Sequence, residues 1–172
     1  MTNNTKNVYV LRIGVFTAGL LFLLALAPGL HAADMKVKGY FGWLGVGTAV
    51  EVEKGHFYWT GEFSGTFFND DGAGSPLHLA GVKCPAWFDA NYNTGKTKAG
   101  GYCIIRDLSG DQVTATWQNA GGTTPGDRAA GTFDYISGTG KYEGISGRNS
   151  FVGFTMVNWA DGKVSGYSTW NR

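Results

Sequence analysis

The side chains that could do chemistry are few and scattered along the chain. Beyond the N-terminal segment there are two histidines, His56 and His78, and no third ligand stands at a spacing that would complete a metal site with them. Glu62 could act as a general acid or base only if burial raised its pKa, and its neighbours Thr60 and Ser64 favour an exposed face. No Gly-x-Ser-x-Gly segment and no phosphate-binding glycine loop before a helix is present. The sequence thus identifies no catalytic residue and predicts no metal and no cofactor.

Two acidic segments have simpler structural interpretations. Asp70 and Asp71 stand in the polar loop 69–76, but the loop lacks the ligand spacing and the final glutamate of an EF-hand, so a plain hairpin loop is favoured over a calcium site. Arg106 and Asp107 come at the end of a predicted strand. That position is more typical of a surface pair or a turn cap than of a catalytic dyad.

Cys84 and Cys103 are the only cysteines of the chain. In an oxidising compartment an even pair is most simply a disulfide. The alternative, a reactive thiol, is disfavoured because there is no Cys-x-x-Cys spacing and no histidine beside either residue. The bond would close a loop of 18 intervening residues and stabilise the fold by about 3 kcal/mol.

Residues 1–33 have the order of a secretory signal peptide. Lys6 and Arg12 give a basic start, residues 13–26 form an apolar run of 14, and His31–Ala33 supplies small residues for cleavage. The run is short for a membrane span, although a retained signal anchor is the alternative. We therefore expect a periplasmic or secreted protein that has no integral membrane span once cleavage near Ala33 has occurred.

The part of the chain after Ala33 has 139 residues, 34–172, enough for one domain with a substantial core. It carries 12 basic and 13 acidic side chains, a net charge of −1, and the two signs are interspersed. This pattern predicts no nucleic-acid partner and no anionic membrane surface. The oligomeric state stays open.

Glycine and aromatic residues dominate the composition, with 28 glycines among 172 residues. Helices of ordinary length are therefore scarce, and strands bounded by turns are expected. The clearest strand is 56–68, where Phe57, Trp59, Phe63 and Phe67 alternate with polar residues. Eight strands are predicted: 40–52, 56–68, 77–90 with an interruption at Pro85, 102–108, 112–118, 129–136, 150–159 and 164–170.

Short turns between these strands predict an all-β fold, a single antiparallel up-and-down barrel of eight strands. Closure would remove both sheet edges. The alternative is a two-sheet β-sandwich. An outer-membrane barrel is a further alternative, which the polar residues on the predicted outer faces disfavour.

One glycine-rich stretch carries a family resemblance. The segment Gly138-Thr-Gly140-Lys-Tyr-Glu-Gly144-Ile-Ser-Gly147, preceded by the strand Gly131–Ile136, resembles a motif of the allene oxide cyclase-like and dirigent-like barrels. The resemblance implies a small eight-stranded barrel, here in an exported bacterial member. Some proteins of those families bind hydrophobic ligands and guide cyclisation or coupling. It assigns no catalytic residue to this chain.

The better candidates for function are aromatic residues on the predicted apolar faces: Trp59, Phe63, Trp117, Phe133 and Phe151. They would form either the core or the wall of a pocket in the barrel mouth. We therefore expect an exported barrel that binds a small apolar or aromatic ligand without converting it. The alternatives are a cofactor-free isomerase or cyclase, and a structural or protein-interaction module with a filled barrel.

Overall fold

The computed structural model describes residues 34–172, and the predicted signal peptide lies outside the described residues. Eight β-strands make up most of the described chain, and the one helical segment within it is a single 3₁₀ turn, Gly140–Tyr142. No helix among these residues has the length and apolar character needed to cross a membrane. The strands are β1 (Gly39–Glu53), β2 (His56–Asn69), β3 (Ala80–Asn91), β4 (Lys96–Arg106), β5 (Gln112–Gly122), β6 (Arg128–Gly138), β7 (Arg148–Asn158) and β8 (Val164–Trp170).

These strands form one closed barrel in sequence order, as predicted. Each strand pairs antiparallel with the next, and β1 closes the circle with β8 between Gly39↔Trp170 and Gly45↔Val164. A two-sheet sandwich is therefore excluded. In the closed barrel the inward-pointing side chains of all eight strands share a single interior.

The start of β4 was predicted wrongly. Residues 91–101 were expected to be a loop, but the strand already begins at Lys96. Lys96 and Lys98 point outward, whereas Thr97 (4% exposed) and Ala99 (2% exposed) point into the barrel. The alternation is present in the sequence, but its inward residues are too small to mark a strand by hydrophobicity. β3 also continues through Pro85, where an interruption was predicted.

One end of the barrel, here called the base, is filled by side chains. It carries the connections 70–79, 107–111 and 139–147 and both ends of the described chain. Three of its buried residues, Leu77, Tyr142 and Ile145, come from these connections and not from the strands. They pack with Phe41, Phe67, Val82, Ile105, Val113, Tyr135 and Trp170 of the strands in one buried cluster.

The opposite end, here called the mouth, is formed by the turns 54–55, 92–95, 123–127 and 159–163. Near the mouth, the last eight residues of β1 are all exposed, although Ala90 of β3 and Thr97 of β4 are buried. The barrel is therefore a cup with a packed base and an accessible mouth.

Candidate ligand-binding cavity

Two adjoining cavities occupy the upper part of the cup. The inner cavity, inside the barrel, has a volume of about 90 Å³, and the outer cavity, at the mouth, about 400 Å³. Phe63, Phe88, Ala129 and Thr155 line both. A ligand at the mouth could therefore extend along the barrel interior into the inner cavity.

The five aromatic residues predicted to bind a ligand form one continuous chain of ring contacts in the barrel interior. Ring centroids lie 5.0 Å apart for Trp59 and Phe63, and 6.2 Å apart for Phe63 and Trp117. The chain continues from Trp117 to Phe151 at 6.0 Å and from Phe151 to Phe133 at 6.3 Å. Trp59 lines the outer cavity, Phe63 lines both, and Trp117, Phe133 and Phe151 line the inner one. Phe133 also packs into the buried cluster of the base.

Glycines on the inner faces make room for these rings. The indole of Trp59 lies against Gly47 and Gly61, where an added Cβ would stand only 2.4 Å from ring atoms. Any larger residue at either position would displace the ring. The glycines of β1 and β2 therefore set the orientation of Trp59 at the wall of the outer cavity.

The inner cavity has no charged side chain among its lining residues. Its polar groups are few. Trp43 Nε1 donates to Ser168 Oγ at 3.2 Å, so this pair is satisfied within the wall. Trp117 Nε1 and Asn119 Oδ1 are buried and have no partner within residues 34–172.

Charged groups appear only at the rim of the outer cavity, as Asp127 and Lys163. Asp127 Oδ2 accepts a hydrogen bond from the Thr124 backbone at 3.0 Å, and Lys163 pairs with Asp161. The amide of Gly126 donates to the carbonyl of Thr155 at 2.8 Å, which ties the 123–127 turn to β7. The rim charges are thus engaged with local partners.

The disulfide predicted between Cys84 and Cys103 is present, with a sulfur–sulfur distance of 2.03 Å. The two cysteines stand opposite each other on β3 and β4, their Cα atoms 4.1 Å apart, and both line the inner cavity. The bond therefore crosslinks two neighbouring strands in the wall of the cup.

The two histidines of the described residues lie at opposite ends of the barrel. His56 stands at the mouth, where its Nε2 is 2.7 Å from Asp89 and its Nδ1 is 3.2 Å from Glu53. The hydrogen bond to Asp89, with a smaller contribution from Glu53, raises the His56 pKa above its ordinary value of 6.5. His78 belongs to the connection 70–79 at the base. Among residues 34–172, no three histidine, cysteine or acidic side chains come together as a metal site.

The acidic candidates take part in ion pairs and turns. Glu62 points outward and lies 3.1 Å from Lys83. Asp70 pairs with Arg172, whose Nε is 2.8 Å from the carboxylate. Arg106 donates to Gln112 at 3.0 Å instead of contacting Asp107. These groups therefore do not converge on either cavity.

Asp107 caps the β4–β5 turn at the base. Its carboxylate accepts hydrogen bonds from the amide and hydroxyl of Ser109 and from the hydroxyl of Tyr142, and it pairs with Lys141. Burial would raise the pKa of this carboxyl, but the hydrogen bonds from Lys141, Ser109 and Tyr142 outweigh burial and hold it well below the ordinary 3.8. Its role is to hold the base together.

Sequence reasoning missed several cavity residues. Trp43 lies on the inner face of β1 and Phe57 on the inner face of β2. The alternation of apolar and polar residues along these strands could have identified both as inward-facing. Phe88 lies beyond Pro85, where an interruption was expected. Asn119 was missed because β5 was predicted to end at Gln118, whereas it continues to Gly122 and keeps the alternation.

No protein-family model matches the chain, and no curated protein or solved structure matches it either. The resemblance of Gly131–Gly147 to the allene oxide cyclase-like and dirigent-like barrels therefore rests on that segment alone, and membership of either family stays a prediction.

Proposed function

We propose that this protein binds a small apolar or aromatic molecule in the cup formed by the inner and outer cavities. The observation that carries the proposal is the aromatic wall that runs from Trp59 at the mouth to Phe133 near the base. Ligand sites in proteins are concave and mostly apolar, with a few polar groups that fix orientation. Both cavities have this character, and small barrels commonly use the mouth for one small ligand.

Binding without conversion is favoured over an isomerase or cyclase activity by the chemistry of the walls. General acid or base catalysis needs a titratable group within hydrogen-bond reach of the substrate. The inner-cavity lining contains no carboxylate, histidine or tyrosine. The titratable residues that line the outer cavity, Tyr92, Asp127 and Lys163, all lie in the turns of the mouth. A structural or protein-interaction module with a filled barrel is disfavoured by the cavity of about 400 Å³ at the mouth.

We further propose that the protein works in the periplasm or outside the cell. The support is the leader-like order of residues 1–33 together with the disulfide of Cys84 and Cys103. Disulfides persist in oxidising compartments and are rare in the cytosol.

Native mass spectrometry of protein purified from its own compartment tests the binding proposal first. A co-purifying small molecule is expected. Calorimetric titration with 2-methylnaphthalene, an apolar aromatic probe of suitable size, gives the quantitative test. If no small molecule co-purifies and the probe shows no saturable binding, the proposal is contradicted.

A matched pair of variants places the binding in the cup. Ala129 lines both cavities and its neighbour Ala130 is exposed on the outer face of β6. Ala129→Phe fills the junction of the two cavities and should weaken 2-methylnaphthalene binding at least about tenfold, since overlap of atoms cannot be relieved in a packed wall. Ala130→Phe adds the same ring outside and should leave the affinity unchanged. Equal effects of the two would place the binding elsewhere.

A further inference from the structure

Two residues that line the inner cavity each carry a buried polar atom without a hydrogen-bond partner in the part of the chain that the structure describes. Trp117 Nε1 and Asn119 Oδ1 are buried, and neither has a hydrogen-bond partner among residues 34–172. Trp117 and Asn119 are two positions apart on β5, so they share its inner face and are neighbours there. Buried polar groups are nearly always hydrogen-bonded, and each exception calls for an explanation.

No other side chain that lines the inner cavity has a buried polar atom without a hydrogen-bond partner among residues 34–172. Trp43, the other indole that borders the inner cavity, is satisfied by Ser168. The remaining two buried unpartnered atoms in the described chain, on His78 and Tyr135, belong to residues that line neither cavity. Trp117 and Asn119 of β5 are therefore the residues lining the inner cavity that bring a buried donor and a buried acceptor without partners among the described residues.

The two atoms define what would satisfy them. An indole N–H donates only, and the amide of Asn119 offers an acceptor together with donors. Their complement is a group that carries an acceptor and a donor next to each other. A carboxylate lacks the donor, and its charge would be buried where no lysine or arginine lines the wall.

We propose that Trp117 and Asn119 recognise a neutral carboxamide or lactam on an aromatic ligand. The proposal rests on the proposed function, because it names the chemical class of the molecule bound in the cup. Trp117 Nε1 donates to the ligand carbonyl, and the ligand N–H donates to Asn119 Oδ1. The aromatic body lies against the rings of Phe63 and Phe151, which border the same cavity.

Calorimetric titration with three probes of similar shape separates the contribution of the amide group from that of the aromatic body. The probes are 2-naphthamide, 2-methylnaphthalene and 2-naphthoate. The wild-type protein should bind 2-naphthamide at least as tightly as 2-methylnaphthalene despite its greater polarity, and 2-naphthoate most weakly. Asn119→Leu keeps the number of side-chain heavy atoms and removes both hydrogen-bonding groups. It should weaken 2-naphthamide binding about three- to tenfold, the usual size of one or two neutral hydrogen bonds, and leave 2-methylnaphthalene unchanged.

Two further variants complete the design. Trp117→Phe keeps a ring but removes the N–H, and it should weaken 2-naphthamide more than 2-methylnaphthalene, because both probes lose part of the aromatic wall and only 2-naphthamide also loses a hydrogen bond. Gln118→Leu makes the same kind of change on the exposed outer face of β5 and should alter the affinity of neither probe. Thermal unfolding checks that the variants fold, and Asn119→Leu should be no less stable than the wild type because it removes an unpaired buried group.

The indole resonance of Trp117 gives an independent readout. Among the six tryptophans, its N–H signal is the one that Trp117→Phe removes from the NMR spectrum. It should move downfield on addition of 2-naphthamide and not of 2-methylnaphthalene. If the resonance does not respond and Asn119→Leu weakens both probes equally, the amide recognition is refuted while binding in the cup stands. If no probe binds at all, the proposed function and this inference both fall.

Discussion

Replacing Tyr142 by phenylalanine should destabilise the barrel strongly, although it removes a single oxygen atom. The hydroxyl of Tyr142 donates to Asp107 Oδ2 at 3.0 Å and accepts from the backbone N–H of Leu77 at 3.3 Å. It thereby joins the 3₁₀ turn, the β4–β5 turn and the β2–β3 connection at the base. Leu77 is only 1% exposed, so its N–H would have little access to water in the variant.

The magnitude follows from the two hydrogen bonds that are lost. A hydrogen bond to a charged group contributes about 1.5–3 kcal/mol, and a neutral one about 0.5–1.5 kcal/mol. Tyr142→Phe should therefore lower the free energy of unfolding by about 2–4 kcal/mol. That is a large fraction of the 5–15 kcal/mol that typically stabilises a domain.

Tyr135 provides a matched control in the same core. It is 5% exposed, similar to Tyr142 at 7%, but its hydroxyl is a buried group without a partner within residues 34–172. Burial raises its pKa, so the hydroxyl stays protonated. Tyr135→Phe removes an unpaired polar atom and should be neutral or stabilising.

Urea unfolding at pH 7, followed by circular dichroism with the disulfide intact, measures both variants. Linear extrapolation gives the free energies, and an unchanged slope shows that the change lies in stability. The reasoning is refuted if the two variants differ by less than about 0.5 kcal/mol, a value below one neutral hydrogen bond.

Three further outcomes follow from the described contacts. Replacing Cys84 and Cys103 together by alanine should lower the free energy of unfolding by about 3 kcal/mol in urea, and the denatured wild type should show no free thiol before reduction. NMR titration should place the pKa of His56 above 6.5, and Asp89→Asn should lower it; this pairing stabilises the fold below pH 6.5 and is lost as the pH rises through the raised pKa. The carboxyl of Asp107 has a depressed pKa, so its contribution is present above pH 3.8 and declines as the pH falls below that value, and Asp107→Asn should unfold with a shallower acid dependence in this range.

The fold could be predicted because the alternation in the strands is strong. In β2 the rings of Phe57, Trp59, Phe63 and Phe67 share one face, and only an inward-facing surface accommodates them. The start of β4 could not be found in this way. Its inward residues, Thr97 and Ala99 among them, are small and give no strong hydrophobic signal, and Thr97 borders the outer cavity.

The candidate site could be predicted only in part. The aromatic wall follows from alternation, but the division of the barrel into a packed base and an accessible mouth does not. The base is filled by Leu77, Tyr142 and Ile145, and these belong to connections whose path over the barrel end is not encoded by any periodic pattern. Whether a barrel is hollow is decided by such residues and by the stagger of the strands.

The most recognisable stretch of the sequence acts at the base and not at the cavity. Gly140 has a φ of +53°, a conformation that glycine adopts at little cost, and an added Cβ there would meet the carboxylate of Asp111. The adjacent Thr139 accepts a hydrogen bond from the amide of Gln112 at 2.9 Å and donates its own amide to the Gln112 carbonyl at 2.8 Å. The stretch therefore locks the β6–β7 connection onto the β4–β5 turn.

A motif with this role can recur wherever a barrel end must be closed, whatever the barrel contains. Its resemblance to other barrels consequently bears on how the base is closed and carries no information on a ligand. The ligand must be inferred from groups that the closure of the base does not require. Asn119 is such a group, because an apolar residue of the same size would satisfy the fold better at a buried inward position. Its presence beside Trp117 is thus a stronger indication of what the cup binds than the glycine motif is.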